Sequence, residues 1–395
     1  MSENTLVINC GSSSLKFAVF DTARHDCLLK GVAEPLGGAK PRLKWTQDGR
    51  TVEDFLHAGA TLEDALHAIA ERLLAGIEIQ SIGHRVVHGA EKFKASAVID
   101  EAMMEQVEAC NHLAPLHNPA NLTGIRMARK VFGDIPHVGV FDTAFHQSIP
   151  REAYLYALPY EFYEELGVRR YGFHGTSHHY VYREAARRLG KPLQSTSILS
   201  AHLGNGSSAT AAQAGKSMDT TMGLTPLEGL VMGTRCGDID PSIHGFLCRE
   251  KGYSIEEVDA ILNKKSGLLG LSGLSNDMRE LVDAAEKGHE RSQIALDVLV
   301  FRLAKSLAAL RTSLDHCDAI VFTGGIGEHN PWLREAVVRR LGFLGVQVDP
   351  VANATHGGES DGRISPPDSP VAVYVIPTNE ELMIAMETAE TLRAR

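Results

Sequence analysis

The sequence predicts an α/β protein built from two domains of duplicated topology, and three observations lead there. A chain of 395 residues is too long for one compact core, so two domains of ordinary size are expected. Apolar runs of strand type alternate with amphipathic helical stretches along its length. One pattern also occurs twice, near residue 10 and near residue 205: an apolar strand, a turn of glycine, serine or asparagine, and a short return strand.

Leu6–Asn9 (LVIN) and Leu15–Phe20 (LKFAVF) flank a glycine and three serines, as two strands around a tight turn do. Residues 61–76 read as a helix. Thr61 caps it, Asp64 holds the capping-box position, Leu62, Leu66, Ile69 and Leu73 share one face, and Gly76 ends it. Ser197–Ala211 (SILSAHLGNGSSATA) repeats the design of the first hairpin. Ser254 and Glu257 make a second capping box ahead of Val258, Ile261 and Leu262. Over residues 291–310 an apolar helix is expected, with Ile294, Val298, Phe301 and Leu307 inward. Ala319–Val337 reads as a strand, a glycine turn and a helix capped by Asn330, with Pro331 in its first turn. Thr355–Pro370, rich in glycine, serine and proline, reads as an exposed loop. The last helix, Glu380–Ala394, carries Leu382, Ala385, Ala389 and Leu392 on one face and is placed to cross back to the first domain. The domains so drawn are residues 1–148 with 381–395, and residues 149–380.

Composition is that of a soluble globular protein, 44% hydrophobic and 22% charged with 37 glycines. A formal charge of −10 argues against a non-specific nucleic-acid binder, whose footprint is basic, but leaves room for a nucleotide held by a few local cations. The six cysteines lie scattered with no CxxC spacing, which suits reduced thiols in the cytoplasm better than a disulfide framework or a zinc site. No run approaches the roughly 18 apolar residues of a membrane span, and the N-terminus lacks a basic segment followed by an apolar one.

Three stretches imitate known sites. Thr210–Ser217 (TAAQAGKS) nearly spells a P-loop, but Thr210 replaces its first glycine and no apolar helix follows. Gly204–Ala209 (GNGSSA) fits a relaxed dinucleotide fingerprint, yet strand and turn residues follow it where a helix is required. His84 and His88 have HxxxH spacing, but the β-branched centre of GHRVVHG makes a strand and turn, on which positions four apart are too distant to chelate one ion easily. These histidines read as buried or phosphate-facing.

The positive signal is an anion clamp. Amides of a glycine/serine turn converge on an anion and serine hydroxyls add donors without bulk, so Gly11, Ser12, Ser13 and Ser14, with Lys16 behind them, form a phosphate site. The second hairpin at HLGNGSS repeats it.

The strings LVINCGSSSLKF, GHRVVHG, APLHNPAN, FDTAFH, YGFHGTSHHYV, HLGNGSSATA, MDTTMGLTPLEGLVMGTRCGDIDP, FTGGIGE and PTNEELMIA occur here in the order found in acetate kinases. The chain resembles that family from Leu6 to about Ala389. The resemblance implies two ribonuclease-H-like (actin-like ATPase) domains around a nucleotide cleft, reversible phosphoryl transfer from ATP to acetate, Mg²⁺ with Mn²⁺ as a substitute, and a homodimer. It implies Asn9 and Glu380 at the metal, the latter through water, and Ser12, Ser14 and Lys16 at the phosphates. Arg85 and Arg235 would grip the carboxylate and the migrating phosphoryl group, and His174 would hydrogen-bond that group in flight. His202, Leu203, Gly204, Asn205 and Gly206, then Asp277, Met278 and Arg279, then Gly324, Gly325, Ile326, Gly327 and Glu328 would surround ATP. Val87, Leu116, Phe173 and Pro226 would line the methyl pocket, with His117 in support. The family's GIGEN is broken here by His329 after Glu328.

A carboxylate nucleophile is ionised at neutral pH and needs no base. Asp142, which matches a family residue often described as a proton donor or acceptor, is therefore cast as an orienter of an arginine or of the metal shell. A propionate kinase of the same family is the alternative; a valine at position 87 goes with acetate. An actin- or chaperone-type ATPase would not need Arg85, His174 and Arg235, and a sugar kinase would need a carboxylate base and a polar pocket.

Overall fold

The computed structural model describes residues 3–115 and 117–394. Its contacts divide the chain into two compact units, Met1–Gln147 with Asn379–Arg395, and Ser148–Thr378.

The first unit holds an eight-stranded sheet. Its strands are β1 (Asn4–Cys10), β2 (Leu15–Asp21), β3 (Asp26–Glu34), β4 (Arg42–Gln47), β5 (Arg50–Phe55), β6 (Ser81–Val86), β7 (Ala97–Val98) and β8 (His137–Phe141), in the order β5-β4-β3-β2-β1-β6-β8-β7. β1 and β2 pair antiparallel, whereas β6 runs parallel to both β1 and β8. Leu6, Ile8, Leu15, Phe17 and Val19 from the first hairpin are buried against Leu66, Ile69 and Leu73. The Thr61–Asp64 capping box forms as expected, but the helix it opens changes at Ala68 into a π-helical turn over Ile69–Leu73. The wider turn keeps Ile69 and Leu73 on the core side.

The helix Glu380–Arg393 belongs to this unit and lies against β1, β6 and β8. Asn379 caps it by accepting the Leu382 N–H (3.0 Å), and Leu382, Ile384, Ala385 and Ala389 are buried. Gly83 permits the close approach: a Cβ there would lie 2.4 Å from Thr388 Oγ1 and 2.9 Å from Ile384.

The second unit holds a five-stranded sheet of β9 (Ser197–Leu203), β10 (Ser207–Gln213), β11 (Lys216–Thr220), β12 (Ala319–Thr323) and β13 (Ala372–Val375), ordered β11-β10-β9-β12-β13. β9, β10 and β11 pair antiparallel, and β12 runs parallel to β9 and β13. The central five strands of the first unit, β3-β2-β1-β6-β8, follow the same order and senses. The fold is thus α/β with one topology used twice.

Three expectations need revision here. The helix Glu290–Leu310 buries Leu296, Leu299, Val300, Leu303 and Leu307, while Ile294 and Phe301 are 45% and 52% exposed. Ile294 and Phe301 stand on the exposed face among Arg291, Asp297, Arg302 and Lys305, and Phe301 instead lies under Arg340. Thr355–Pro370 is not a plain exposed loop. Ile364 is fully buried, its N–H bonds to the Val373 carbonyl (2.8 Å), and Gly362 accepts from the Val375 N–H (2.7 Å). The glycine run after β12 is a short helix, Gly324–His329, rather than an open turn. The P-loop imitation is the β10–β11 hairpin, with Ala214 and Gly215 in left-handed conformations at its tip. Among the described residues no helix is long and apolar enough to cross a membrane.

Candidate active site

In the first unit the β1–β2 hairpin closes on a Gly11 N–H to Ser14 carbonyl bond (2.8 Å), leaving Ser12 and Ser13 exposed at its tip. Asn9 and Lys16 are directly paired across the ladder. Both expected charge-neutralising residues of this hairpin therefore stand on adjacent strands, one step behind the serine turn.

Arg85 sits in β6, next to β8, and Asp142 directly follows β8. Its Nε donates to both Asp142 carboxylate oxygens (3.1 Å each) and its Nη2 to Oδ2 (2.7 Å). Asp142 is buried, and its charge raises the Arg85 pKa, with Glu380 and Glu381 adding to the effect. Asp142 thus holds an arginine. Burial pushes the Glu380 carboxyl up to about 7; Asp142 and Glu381 reinforce this, while Arg85 and Lys16 oppose it.

Two asparagines that sequence reasoning passed over brace this half. Asn121 accepts the Val87 N–H (3.1 Å) and donates to the Cys10 carbonyl (3.1 Å), joining the segment after β6 to the end of β1. Asn118 accepts the His88 N–H (3.2 Å) and donates to the His88 carbonyl (3.0 Å). Both are buried near the start of the helix Asn118–Phe132. Their three-residue spacing in HNPAN, with Pro119 in the first turn, is the signal that could have found them. Val87 is half-buried on that braced segment, His117 is exposed at the helix N-cap, and Leu116 lies outside the described residues. His84 and His88 are buried, and no third metal ligand accompanies them among the described residues.

In the second unit His174 occupies the N-cap of the helix Gly175–Leu189 with a left-handed backbone (φ +57°). Its Nδ1 is 2.9 Å from Ser208 Oγ, and its ring stacks on His202 at 4.3 Å. Gly206 lies between His174 and Arg235: a Cβ there would be 3.6 Å from His174 Nε2 and 3.4 Å from Arg235 Nη1. Arg235 donates to the Pro226 carbonyl (3.0 Å). No carboxylate pairs with Arg235 among the described residues, and burial lowers its pKa. A half-buried guanidinium with no carboxylate partner can answer the charge of an anion.

Phe173 is buried and Pro226 half-buried. The loops bearing them are cross-braced, since the Tyr171 and Gly172 N–H groups both donate to the Gly223 carbonyl. Arg170 adds bonds to the Thr220, Thr221 and Met222 carbonyls and to Glu228.

The segments expected at the nucleotide also make contacts within the second unit. Asn205 at the β9–β10 turn accepts from the Gly233 N–H through its carbonyl (3.1 Å) and from Asn276 Nδ2 through Oδ1 (2.9 Å). Asp277 caps the helix Met278–Glu286 through the Arg279 N–H and pairs with the exposed Arg279 guanidinium. Those bonds hold the Asp277 carboxyl at about 2. Glu328 turns inward, accepting the Gly324 N–H (2.9 Å) and the Thr378 N–H (3.1 Å), so it braces its loop. Behind it Arg334 is fully buried, with all five N–H groups directed to neutral acceptors. These are the Gly327, Glu328 and Asn353 carbonyls, Asn353 Oδ1 and His356 Nδ1.

A divalent cation fits the first unit's half. Three carboxylates (Asp142, Glu380, Glu381) act on one another there against two cations (Arg85, Lys16), and Glu380's charge is penalised by burial. No cluster of three His, Cys, Asp or Glu side chains could hold a metal alone among the described residues. That donor set suits Mg²⁺, which binds through one or two carboxylates plus substrate phosphates.

Comparison with known proteins gives a consistent result. Residues 4–386 match the acetokinase family. The chain is 53% identical to the acetate kinase of Chromobacterium violaceum, over 99% of this chain and 98% of that one. It is 51% identical to that of Deinococcus deserti, over 99% and 98%. Among solved structures, Porphyromonas gingivalis acetate kinase superposes with a TM-score of 0.92 at 42% identity, covering 99% of this chain and 100% of that one. A propionate kinase from Francisella tularensis gives 0.91, also at 42%, covering 98% and 99%.

Proposed function

Since the chain belongs to the acetokinase family, we propose that it catalyses ATP + acetate ⇌ acetyl phosphate + ADP. It is a phosphotransferase with a carboxyl group as acceptor. The observation that carries the chemistry is the Arg235 guanidinium, paired with no carboxylate among the described residues, beside His174 at Gly206.

Acetate is ionised at neutral pH, as side-chain carboxylates are, so the nucleophile needs no base. The obstacle is to bring one anion against another, and positioning with charge neutralisation overcomes it. Arg85 and Arg235 take the acetate carboxylate and the migrating phosphoryl group. Asp142 fixes Arg85 in place through its three short contacts and exchanges no proton. His174 donates a hydrogen bond to the phosphoryl group. Ser12, Ser14 and Lys16 face the phosphates, and the segments at His202–Gly206, Asp277–Arg279 and Gly324–Glu328 bind the nucleotide. Asn9 and Glu380 would hold Mg²⁺, or Mn²⁺ in its place, which would supply positive charge to the phosphate oxygens. Transfer is direct and in line, with no phosphoenzyme.

Val87, Phe173 and Pro226 give the acyl pocket its apolar walls, and Val87 favours acetate over propionate. The six cysteines are free thiols, in keeping with a reducing cytoplasm, and the working form is a homodimer. Incubation with ATP, Mg²⁺, hydroxylamine and a panel of short acids is expected to yield acetyl hydroxamate first in rank. No hydroxamate from any short acid would overturn the activity; propionate first would overturn the acyl assignment. Light scattering at twice the chain mass is the expectation for the dimer, and a monomer mass contradicts it.

A further inference from the structure

We propose that Ser200, His178 and Ser208 form a directional hydrogen-bond relay that sets His174 as the Nε2–H tautomer, ready to donate to the phosphoryl group. The inference rests on the role given to His174 above and adds three residues to which no role has been assigned.

The relay is continuous and buried. Ser200 Oγ is 2.8 Å from His178 Nδ1, and His178 Nε2 is 2.7 Å from Ser208 Oγ. Ser208 Oγ is in turn 2.9 Å from His174 Nδ1. Ser200, His178 and Ser208 are each at most 1% exposed. Ser200 lies on β9, Ser208 on β10 and His178 one turn into the helix that His174 caps.

Proton counting fixes the direction. Ser208 Oγ could accept from both rings, but its only hydrogen-bond partners among the described residues are the two imidazoles, so its own proton is used only if one ring donates to it and the other accepts from it. If His174 donated through Nδ1, Ser208 would donate to His178 Nε2. His178 would then carry its proton on Nδ1 and donate to Ser200. The Ser200 hydroxyl has no other hydrogen-bond partner among the described residues, so its own proton would be stranded in the interior, which is costly. In the opposite sense every proton is used: Ser200 donates to His178 Nδ1, His178 Nε2–H donates to Ser208, and Ser208 donates to His174 Nδ1. The proton of His174 is then on Nε2, the nitrogen beside Gly206 and Arg235.

The same count opposes an imidazolium at His174. A proton on its Nδ1 would reverse the chain and again strand the Ser200 hydroxyl. The left-handed backbone of His174 is a conformation that non-glycine residues adopt only when their surroundings enforce it, and it presents Nδ1 to Ser208. Ser200, His178 and Ser208 are positioning residues, since they act through His174.

The direct test is ¹⁵N NMR of the full-length protein with ¹⁵N-histidine, His174 being identified by the signals lost in His174→Gln. The expected spectrum has His174 protonated on Nε2 and bare on Nδ1 at neutral pH; a proton on Nδ1 overturns the relay. Ser208→Ala is expected to mix the tautomers and lower kcat by about tenfold to a hundredfold, the scale of one donor to a charged group. KM for acetate and ATP should stay within about twofold. His178→Gln, which keeps an N–H near Ser208, should retain more activity than His178→Ala. Folded Ser208→Ala with unchanged kcat and an unchanged pH profile refutes the proposal. Full turnover in His174→Gln would refute the catalytic role of His174 itself, whatever its tautomer.

Discussion

The two units share a strand order but carry their arginines in opposite electrostatic states. Arg85 of the first is tied by three hydrogen bonds to a buried carboxylate, whereas Arg235 of the second donates, among the described residues, to a carbonyl oxygen and a methionine sulfur. One topology therefore provides two kinds of cation: one neutralised and fixed, the other left with its charge unanswered. A guanidinium already saturated by Asp142 has geometry to offer; one without an anion has charge to offer. Phosphoryl transfer to a carboxylate requires both.

The largest effect expected is on turnover. Arg235→Ala should lower kcat by about 10³–10⁵, on the scale of an arginine finger, or roughly 4–7 kcal/mol. Arg85→Ala should fall in the same range, and near-wild-type steady-state rates in either variant would remove that residue from the reaction. Melting curves separate the two arginines. Arg85→Ala orphans a buried Asp142 and should destabilise by about 3 kcal/mol or more, while Arg235→Ala leaves no buried partner and should melt near wild type. Equal losses of stability would erase the contrast.

How much of this was open to sequence reasoning differs along the chain. The hairpins at Gly11 and Gly204 were legible because their turn residues sit next to apolar strands, and both capping boxes formed as read. The helix Glu290–Leu310 was misread in its facing because Ile294 and Phe301 stand among the charged residues of its outer face. Asn118, Asn121, Ser200 and Ser208 escaped notice for a different reason. Each owes its role to partners brought near by the fold, up to 111 residues away in the case of Asn121 and Cys10; the asparagines show only in their spacing within HNPAN, and a lone strand serine gives no local sign at all. Arg334 likewise reads as an ordinary surface charge on a helix with polar neighbours, yet it is fully buried.

Arg334 gives the next prediction in size. Arg334→Met should leave the Gly327 and Glu328 carbonyls unanswered and lower unfolding free energy by about 3–4 kcal/mol, read as a shift in the urea midpoint. Because Arg334 pairs with no carboxylate among the described residues, that loss should be nearly independent of pH between 6 and 9; a steep dependence would point to a hidden acidic partner.

The first unit should show the opposite behaviour. Burial lowers His84, His88 and His137, the latter two to about 4, and His84 lies 2.8 Å from His137. Such groups take up protons more readily when unfolded. The stability that depends on these neutral histidines is then full above pH 6.5 and falls as pH drops toward 4, by roughly 3 kcal/mol for His88 alone. Urea titrations across that window should slope for wild type and flatten in His88→Gln; parallel curves would contradict it. The smallest effect concerns the acyl pocket. Val87→Ala should raise the propionate-to-acetate ratio of kcat/KM by about tenfold, within the 1–3 kcal/mol that one methylene commands, and an unchanged ratio would count against Val87 as a wall of that pocket.

The helix Glu380–Arg393 covers β1, β6 and β8 although it is encoded after the whole second unit. On the ribosome this ordering inverts the usual sequence of events. At about 5–20 residues per second, the first sheet waits on the order of tens of seconds for its covering helix, while the second unit emerges with all its strands consecutive. The N-terminal half of the chain is thus the last to be finished, and its apolar face is the surface that nascent-chain chaperones would have to shield.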